Sequence, residues 1–277
     1  MDQIELYHRV CNEISLVITH RYSTSFSMGI RMFASQLRSP VCAIYGFVRI
    51  ADEIVDTFHY ADQSTILSRF REDTSQAIKQ QYSTNPVLHS FARTVSRYKI
   101  EQKHIDAFLH SMEMDLTKRI YNREEFDRYV YGSAEVVGLF CLKVFLDGDE
   151  SKFNALEGTA CALGSAFQKI NFPRDLKSDF QERGRIYFPG VNPGQFTEAE
   201  KKVIEEEIAQ DFAKAYRGIA DLPVSVRKGV LLAYHYYLDL FRKIKGLSSA
   251  DVLNKRIRIS NFRKFQLMIL VNLGILK

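Results

Sequence analysis

The chain has 277 residues, of which 46% are hydrophobic and 26% charged, with 14 glycines and 6 prolines. This is the composition of a folded globular protein and excludes a low-complexity or disordered chain. Thirty-eight basic residues against 33 acidic ones leave a net charge of +5. That excess is too mild to select a polyanionic partner, and the bases are dispersed without a recognisable motif, so nucleic-acid binding is not expected.

Helical periodicity dominates, with no run of strand-like alternation. Residues 2–20 read as an amphipathic helix using Leu6, Val10, Ile14 and Val17, and Arg21 to Ser27 as a hydroxyl-rich turn with capping serines. Residues 40–58 form an apolar helix carrying Val41, Ile44, Phe47 and Val48. Helices follow over 62–82, 87–98 and 101–119, the last with Ile105, Phe108, Leu109, Met112 and Leu116 on one side, and then a long apolar helix over 123–146. Residues 147–151 are a loop. Residues 152–180 are helical by pattern, although Pro173 is expected to kink or break the run at a cost of about 3 kcal/mol. Glycines and prolines mark 183–197 as loop, and Thr197 with Glu200 has capping-box spacing for a helix over 198–220. Helices over 224–245 and 261–275 flank a loop with Lys255, Arg256 and Arg258. The expectation is one all-α domain spanning 1–277.

Cys11, Cys42, Cys141 and Cys161 form no C-x-x-C pair, and three lie in apolar helical patterns, which points to reduced thiols in a cytoplasmic protein. The N-terminal Met-Asp-Gln-Ile-Glu-Leu has no secretory character. The longest apolar runs, 134–146 and 265–276, fall short of the roughly 20 residues that span a bilayer. The seven histidines are scattered without metal-ligand spacing.

Two acidic clusters carry the chemistry. On the 40–58 helix, Tyr45, Arg49, Asp52 and Asp56 fall within about 60° of arc. A solvated face is the plain alternative, because an exposed i,i+4 carboxylate pair costs only about 0.2–0.5 kcal/mol. The pattern recurs: Gln168, Asn171, Asp175 and Asp179 share a face if the helix survives Pro173, with Arg174 beside the first acid. If the two faces oppose, their carboxylates repel unless divalent cations lie between them. Magnesium suits such oxygen donors, completing its shell with water and substrate phosphates, and the arginines suit the same phosphates. The joint reading is a metal-bound diphosphate.

These segments resemble the squalene/phytoene synthases over most of the chain. The matching motifs are Tyr45-x-x-x-Arg49-x-x-Asp52-x-x-x-Asp56, Met112-Glu-Met-Asp115-Leu and Tyr129-Val-Tyr131-Gly-Ser-Ala-Glu-Val-Val-Gly138. They continue, in family order, with Gln168-x-x-Asn171-x-x-Arg174-Asp175-x-x-x-Asp179, Gly184-Arg-Ile-Tyr187-Phe-Pro189 and Lys255-Arg256-Ile-Arg258. The family departures are Tyr22 and Thr24 where histidine and lysine are common, Glu135 for glycine, Pro173 for an apolar residue, and one extra residue between Asp179 and Tyr187.

The resemblance implies an isoprenoid-synthase-type helical bundle around a central apolar cavity. The implied reaction is head-to-head condensation of two geranylgeranyl diphosphates to phytoene, through a cyclopropylcarbinyl diphosphate. It implies Asp52, Asp56, Asp175 and Asp179 as magnesium ligands, with manganese as a substitute and no nicotinamide cofactor. Arg49, Arg174 and Arg256 would bind diphosphate, with Tyr187 and Tyr237 as hydroxyl partners. Tyr45, Tyr129, Gln168 and Asn171 would line the reaction centre, Tyr129 among the catalytic groups. Tyr22, Ser23, Ser25 and Phe26 belong to the segment that meets the second diphosphate. Two alternatives stay open: a squalene or dehydrosqualene synthase using farnesyl diphosphate, and a non-catalytic lipid-binding or assembly relative. Lipid-like substrates and product also imply transient contact with the inner face of a membrane.

Overall fold

The computed structural model describes residues 2–181, 184–191, 196–254 and 257–276. Thirteen helices run α1 (Gln3–Tyr22), α2 (Thr24–Arg31), α3 (Ser35–Asp56), α4 (Gln63–Gln80), α5 (Pro86–Tyr98), α6 (Gln102–Thr117), α7 (Arg123–Val130), α8 (Val136–Leu146), α9 (Glu150–Gln181), α10 (Glu198–Ile219), α11 (Val224–Lys245), α12 (Ser249–Asn254) and α13 (Asn261–Asn272). Among the described residues, the sole extended pairing is an isolated parallel bridge between Ile120 and Ile186. The all-α expectation holds.

Local chemistry sets the boundaries. Ser23 is not in a turn between loops; it caps α2, its hydroxyl accepting from the Phe26 N–H at 3.1 Å. Asn85 caps α5 with Pro86 at the first helical position, where the missing N–H costs nothing. Asn122 with Glu125 and Thr197 with Glu200 form full capping boxes. The expected 123–146 helix is continuous but contains a π-helical turn, Tyr131–Glu135, between α7 and α8. By length and composition this 24-residue run could cross a membrane. Here Leu139, Phe140 and Val144 are buried in the core instead.

Three expectations change. Helix α3 begins five residues before Pro40 and runs through it. Helix α9 runs unbroken through Pro173, because Ile170 and Phe172 are packed in the core and tertiary packing outweighs the lost hydrogen bond. On α1, Leu6, Val10 and Val17 are exposed rather than buried. The inward face is Cys11, Ser15 and Thr19, small enough for close approach to α3. Ser15 Oγ lies 2.7 Å from Ser90 Oγ, and a Cβ on Gly46 would stand 3.3 Å from that Ser15 oxygen.

The core is aromatic at its centre, with Phe47 stacked on Phe91 at 3.8 Å between centroids and on Phe70 at 5.5 Å. All four cysteines are free thiols. Helices α8 and α9 run antiparallel at very short range. A Cβ on Gly138 would lie 2.9 Å from the Ala160 carbonyl oxygen, and one on Gly164 would lie 2.6 Å from that of Ala134. These glycines hold the central helix against its neighbour. Gly164→Ala should therefore force the two backbones apart and cost about 1–3 kcal/mol. Urea unfolding would read it, and an unchanged midpoint would contradict the contact.

Candidate active site

A cavity of about 480 Å³ lies between α2, α3, the π turn, α8, α9, α10, α11 and α13. Its lining along α9 extends from Leu156 to Arg174, which at 1.5 Å per residue is about 27 Å of bore. The apolar section is walled by Leu142, Phe145, Leu156, Leu163 and Leu222, and polar groups gather toward the C-terminal half of α9. Those are Ser23, Ser25, Tyr45, Arg49, Gln168, Asn171, Arg174 and Tyr237, eight of the residues singled out from sequence, joined by Phe26 and Lys264. The two acidic stripes thus serve one cavity.

Within the polar section, Phe26 stacks on Tyr45 at 4.9 Å and Phe167 on Tyr237 at 3.9 Å. Burial raises the Tyr45 hydroxyl to about 12, so it stays protonated and able to donate. Arg49 donates to Asp52 at 2.5 Å and pairs with Glu53, while its guanidinium lies over the Tyr22 ring, 4.5 Å from the centroid. Its buried Nε–H has no partner. Arg174 Nε donates to Asp175 at 2.9 Å. The Asn171 side-chain N–H donates to Gln168 at 3.3 Å, leaving a buried Asn171 carbonyl oxygen with no donor. Buried polar atoms left without protein partners beside a cavity mark where a ligand completes the hydrogen bonding.

Asp52, Asp56 and Asp175 are partly exposed, one turn or more beyond Arg49 and Arg174, and Asp179 is buried. Asp56 and the end of α9 are joined through Arg185. Its backbone N–H donates to the Asp179 carbonyl at 2.8 Å, and its guanidinium donates to Asp56 at 2.8 Å. The expected convergence of four carboxylates is therefore looser than a cage. Among the described residues no three His, Cys, Asp or Glu side chains are grouped closely enough to hold a metal. Magnesium fits this donor set, because it retains several waters and takes one or two carboxylates together with phosphate oxygens.

Behind the acids lies a layer that sequence reasoning had assigned differently. Tyr129 and Tyr187 stand outside the cavity wall, both donating to Asp115, at 2.8 and 2.9 Å. Tyr121 donates to the same carboxylate at 3.4 Å, and Arg185 lies 3.8 Å away. Asp115, Arg185 and Glu53 were not among the expected site residues. Asp115 and Arg185 do lie within matched motifs, and Glu53 sits directly after Asp52, so position alone was the available signal. Tyr22 acts on Arg49 from outside the cavity wall. Arg256 falls outside the described residues.

The squalene/phytoene synthase family model matches residues 19–263. Similar curated proteins include a phytoene synthase from Arthrospira platensis, 25% identical over 94% of this chain and 92% of that protein. A chloroplastic phytoene synthase from Daucus carota is 29% identical over 94% of this chain and 68% of its own length. Among solved structures, a dehydrosqualene synthase in complex with ligand superposes with a TM-score of 0.82, covering 99% of each chain at 21% identity. A squalene synthase from Alicyclobacillus acidocaldarius gives 0.76 over 87% of this chain and 95% of that one, at 19% identity. These likenesses establish the isoprenoid-synthase-type fold.

Burial raises the Asp115 carboxyl from an ordinary 3.8 to about 6, against the pull of Arg185 and the tyrosine hydroxyls. The native state thus holds a proton that the unfolded chain has released, so this group's contribution falls as pH rises through that window. Asp115→Asn removes the titration. The stability of the wild type relative to Asp115→Asn should fall by on the order of 3 kcal/mol across the window. Urea unfolding of both proteins at a series of pH values reads the difference; a flat difference would refute it.

Proposed function

The chain belongs to the squalene/phytoene synthase family, and on that premise we propose that it condenses two geranylgeranyl diphosphates head to head into phytoene, in carotenoid biosynthesis. The observation that carries this reading is the cavity, with two arginines, tyrosine hydroxyls and amides in one section and a long apolar bore in the other. Phytoene synthases similar over nearly the whole chain favour the longer substrate over farnesyl diphosphate.

Arg49 and Arg174 are planar cations at the cavity wall and suit bidentate recognition of diphosphate oxygens. Ser23, Ser25 and Lys264 extend the polar surface toward a second diphosphate. Asp52, Asp56, Asp175 and Asp179 would hold magnesium, which when bound neutralises the departing diphosphate and lowers the cost of an allylic cation. The stacked Phe26 and Tyr45 rings offer π faces to that cation, worth about 0.5–2 kcal/mol each. The apolar walls keep water from capturing it.

Condensation to the cyclopropylcarbinyl diphosphate releases one diphosphate and one proton. Its ionisation expels the second diphosphate, and rearrangement with loss of a second proton yields the hydrocarbon, so no reductant enters.

Purified protein with magnesium and geranylgeranyl diphosphate should give a C40 hydrocarbon, and far less product from farnesyl diphosphate. Preference for farnesyl diphosphate would replace this reading with squalene or dehydrosqualene synthesis, and no hydrocarbon from either would sink the enzymatic one. Asp52→Asn and Asp175→Asn should each lower turnover at least about a hundredfold with helical content unchanged. Chelation should abolish turnover, and magnesium, or less well manganese, should restore it.

A further inference from the structure

Helix α13 is apolar on two opposite sides. Leu267 and Val271 are buried, and Leu267 with Lys264 reaches the cavity wall. On the other side Phe262, Phe265, Ile269 and Leu273 are 69%, 52%, 41% and 68% exposed. At 100° per residue these four span about 80° of arc, turned away from the buried pair. A helix that is apolar all round belongs in an apolar environment on every side, and the protein covers only one side. The surface continues past the helix end. Lys228 Nζ donates to the Asn272 carbonyl at 3.2 Å, which brings the first turn of α11 and the exposed Val224 beside exposed Leu273 and Ile275.

Charge shows what covers this surface. Residues 252–277 contain six of the chain's 38 bases and none of its 33 acids. The rest of the chain holds 32 bases against 33 acids, so the whole positive excess lies in this one segment. Arg258 is exposed, and Lys243 is tied to its carbonyl at 2.8 Å, adding a second base from α11. The exposed stripe on α1 differs: Leu6, Val10 and Val17 stand among Asp2, Glu5, Arg9 and Glu13, a mixed-sign surface.

We propose that the outer face of α13, with Val224 and Ile275, docks on an anionic lipid bilayer, the helix lying in the interfacial plane. An apolar stripe flanked by bases and free of acids is the chemistry that such a surface selects. Since the opposite side of the same helix walls the cavity, docking sets that cavity about one helix diameter, roughly 10 Å, from the lipid. A membrane thus becomes the adjoining reservoir for apolar molecules. The docking does not depend on which prenyl diphosphate the cavity takes.

Co-sedimentation of the full-length protein with vesicles of phosphatidylcholine alone, or mixed with phosphatidylglycerol, tests the proposal without substrate. Binding should require the anionic lipid and weaken with salt. Phe262→Ser combined with Leu273→Ser should lower partitioning at least about tenfold. Arg258→Glu should weaken binding to anionic vesicles while leaving the apolar face intact. Leu6→Ser with Val10→Ser should bind as the wild type does, and circular dichroism should show unchanged helix in all variants. Absence of binding to anionic vesicles overturns the proposal, as does wild-type binding by either α13-segment variant. A dimer that Phe262→Ser with Leu273→Ser converts to monomer, without vesicle binding, assigns the face to a second copy of the chain instead.

Discussion

Arg185 is a buried cation, with 5% of its side chain exposed, and a buried cation must be matched by acids or the fold forfeits several kcal/mol. Its partners come from three separate parts of the chain. Asp56 ends α3, Asp115 lies near the end of α6, and the Asp179 carbonyl near the end of α9 accepts the Arg185 backbone N–H. Satisfying one guanidinium therefore draws the C-terminal ends of α3, α6 and α9 together. Both acidic stripes sit on two of those ends, so their common placement follows from this pairing. The ring of Tyr121, Tyr129 and Tyr187 around Asp115 completes it, supplying hydroxyl donors to a carboxylate that burial would otherwise penalise.

From that anchored end the cavity runs back along α9 into apolar side chains. Its bore owes its straightness to the same helix continuing through Pro173, and its narrow wall on the α8 side to Gly138 and Gly164. Rigid packing and a polarity gradient serve the same chemistry. A diphosphate needs cations and hydrogen-bond donors that are already in place, whereas its hydrocarbon tail needs a dry channel. Arg49 and Arg174, each held by a neighbouring acid, are oriented before substrate arrives. Helix α13 closes the cavity on one side and meets the surroundings on the other, so the site and the proposed bilayer contact share one element.

Much of this was legible in the chain. The all-α class, the boundaries at Asn85-Pro86 and Thr197-x-x-Glu200, and the stripes of Tyr45–Arg49–Asp52–Asp56 and Gln168–Asn171–Asp175–Asp179 follow from periodicity and capping chemistry, which act over a few residues. The reading failed where long-range packing overrode local pattern. Leu6, Val10 and Val17 look like a buried face, but small residues at Cys11, Ser15 and Thr19 let α1 approach α3 more closely on the other side. Pro173 looks like a break, yet the core on either side of it holds the helix.

What the sequence by itself determined is which residues can do chemistry together on one helix, because helical spacing alone puts carboxylates and arginine on a common face. Only the tertiary structure decided which of them meet across helices. Tyr129 and Tyr187 carry hydroxyls that suit a reaction centre, but folding turns both onto Asp115, behind the cavity wall. Arg185 and Asp115, unremarkable in spacing, become the link between the acidic stripes. A buried charge chooses its partners by position in space, and residues 56, 115 and 185 are neighbours only after the helices have packed.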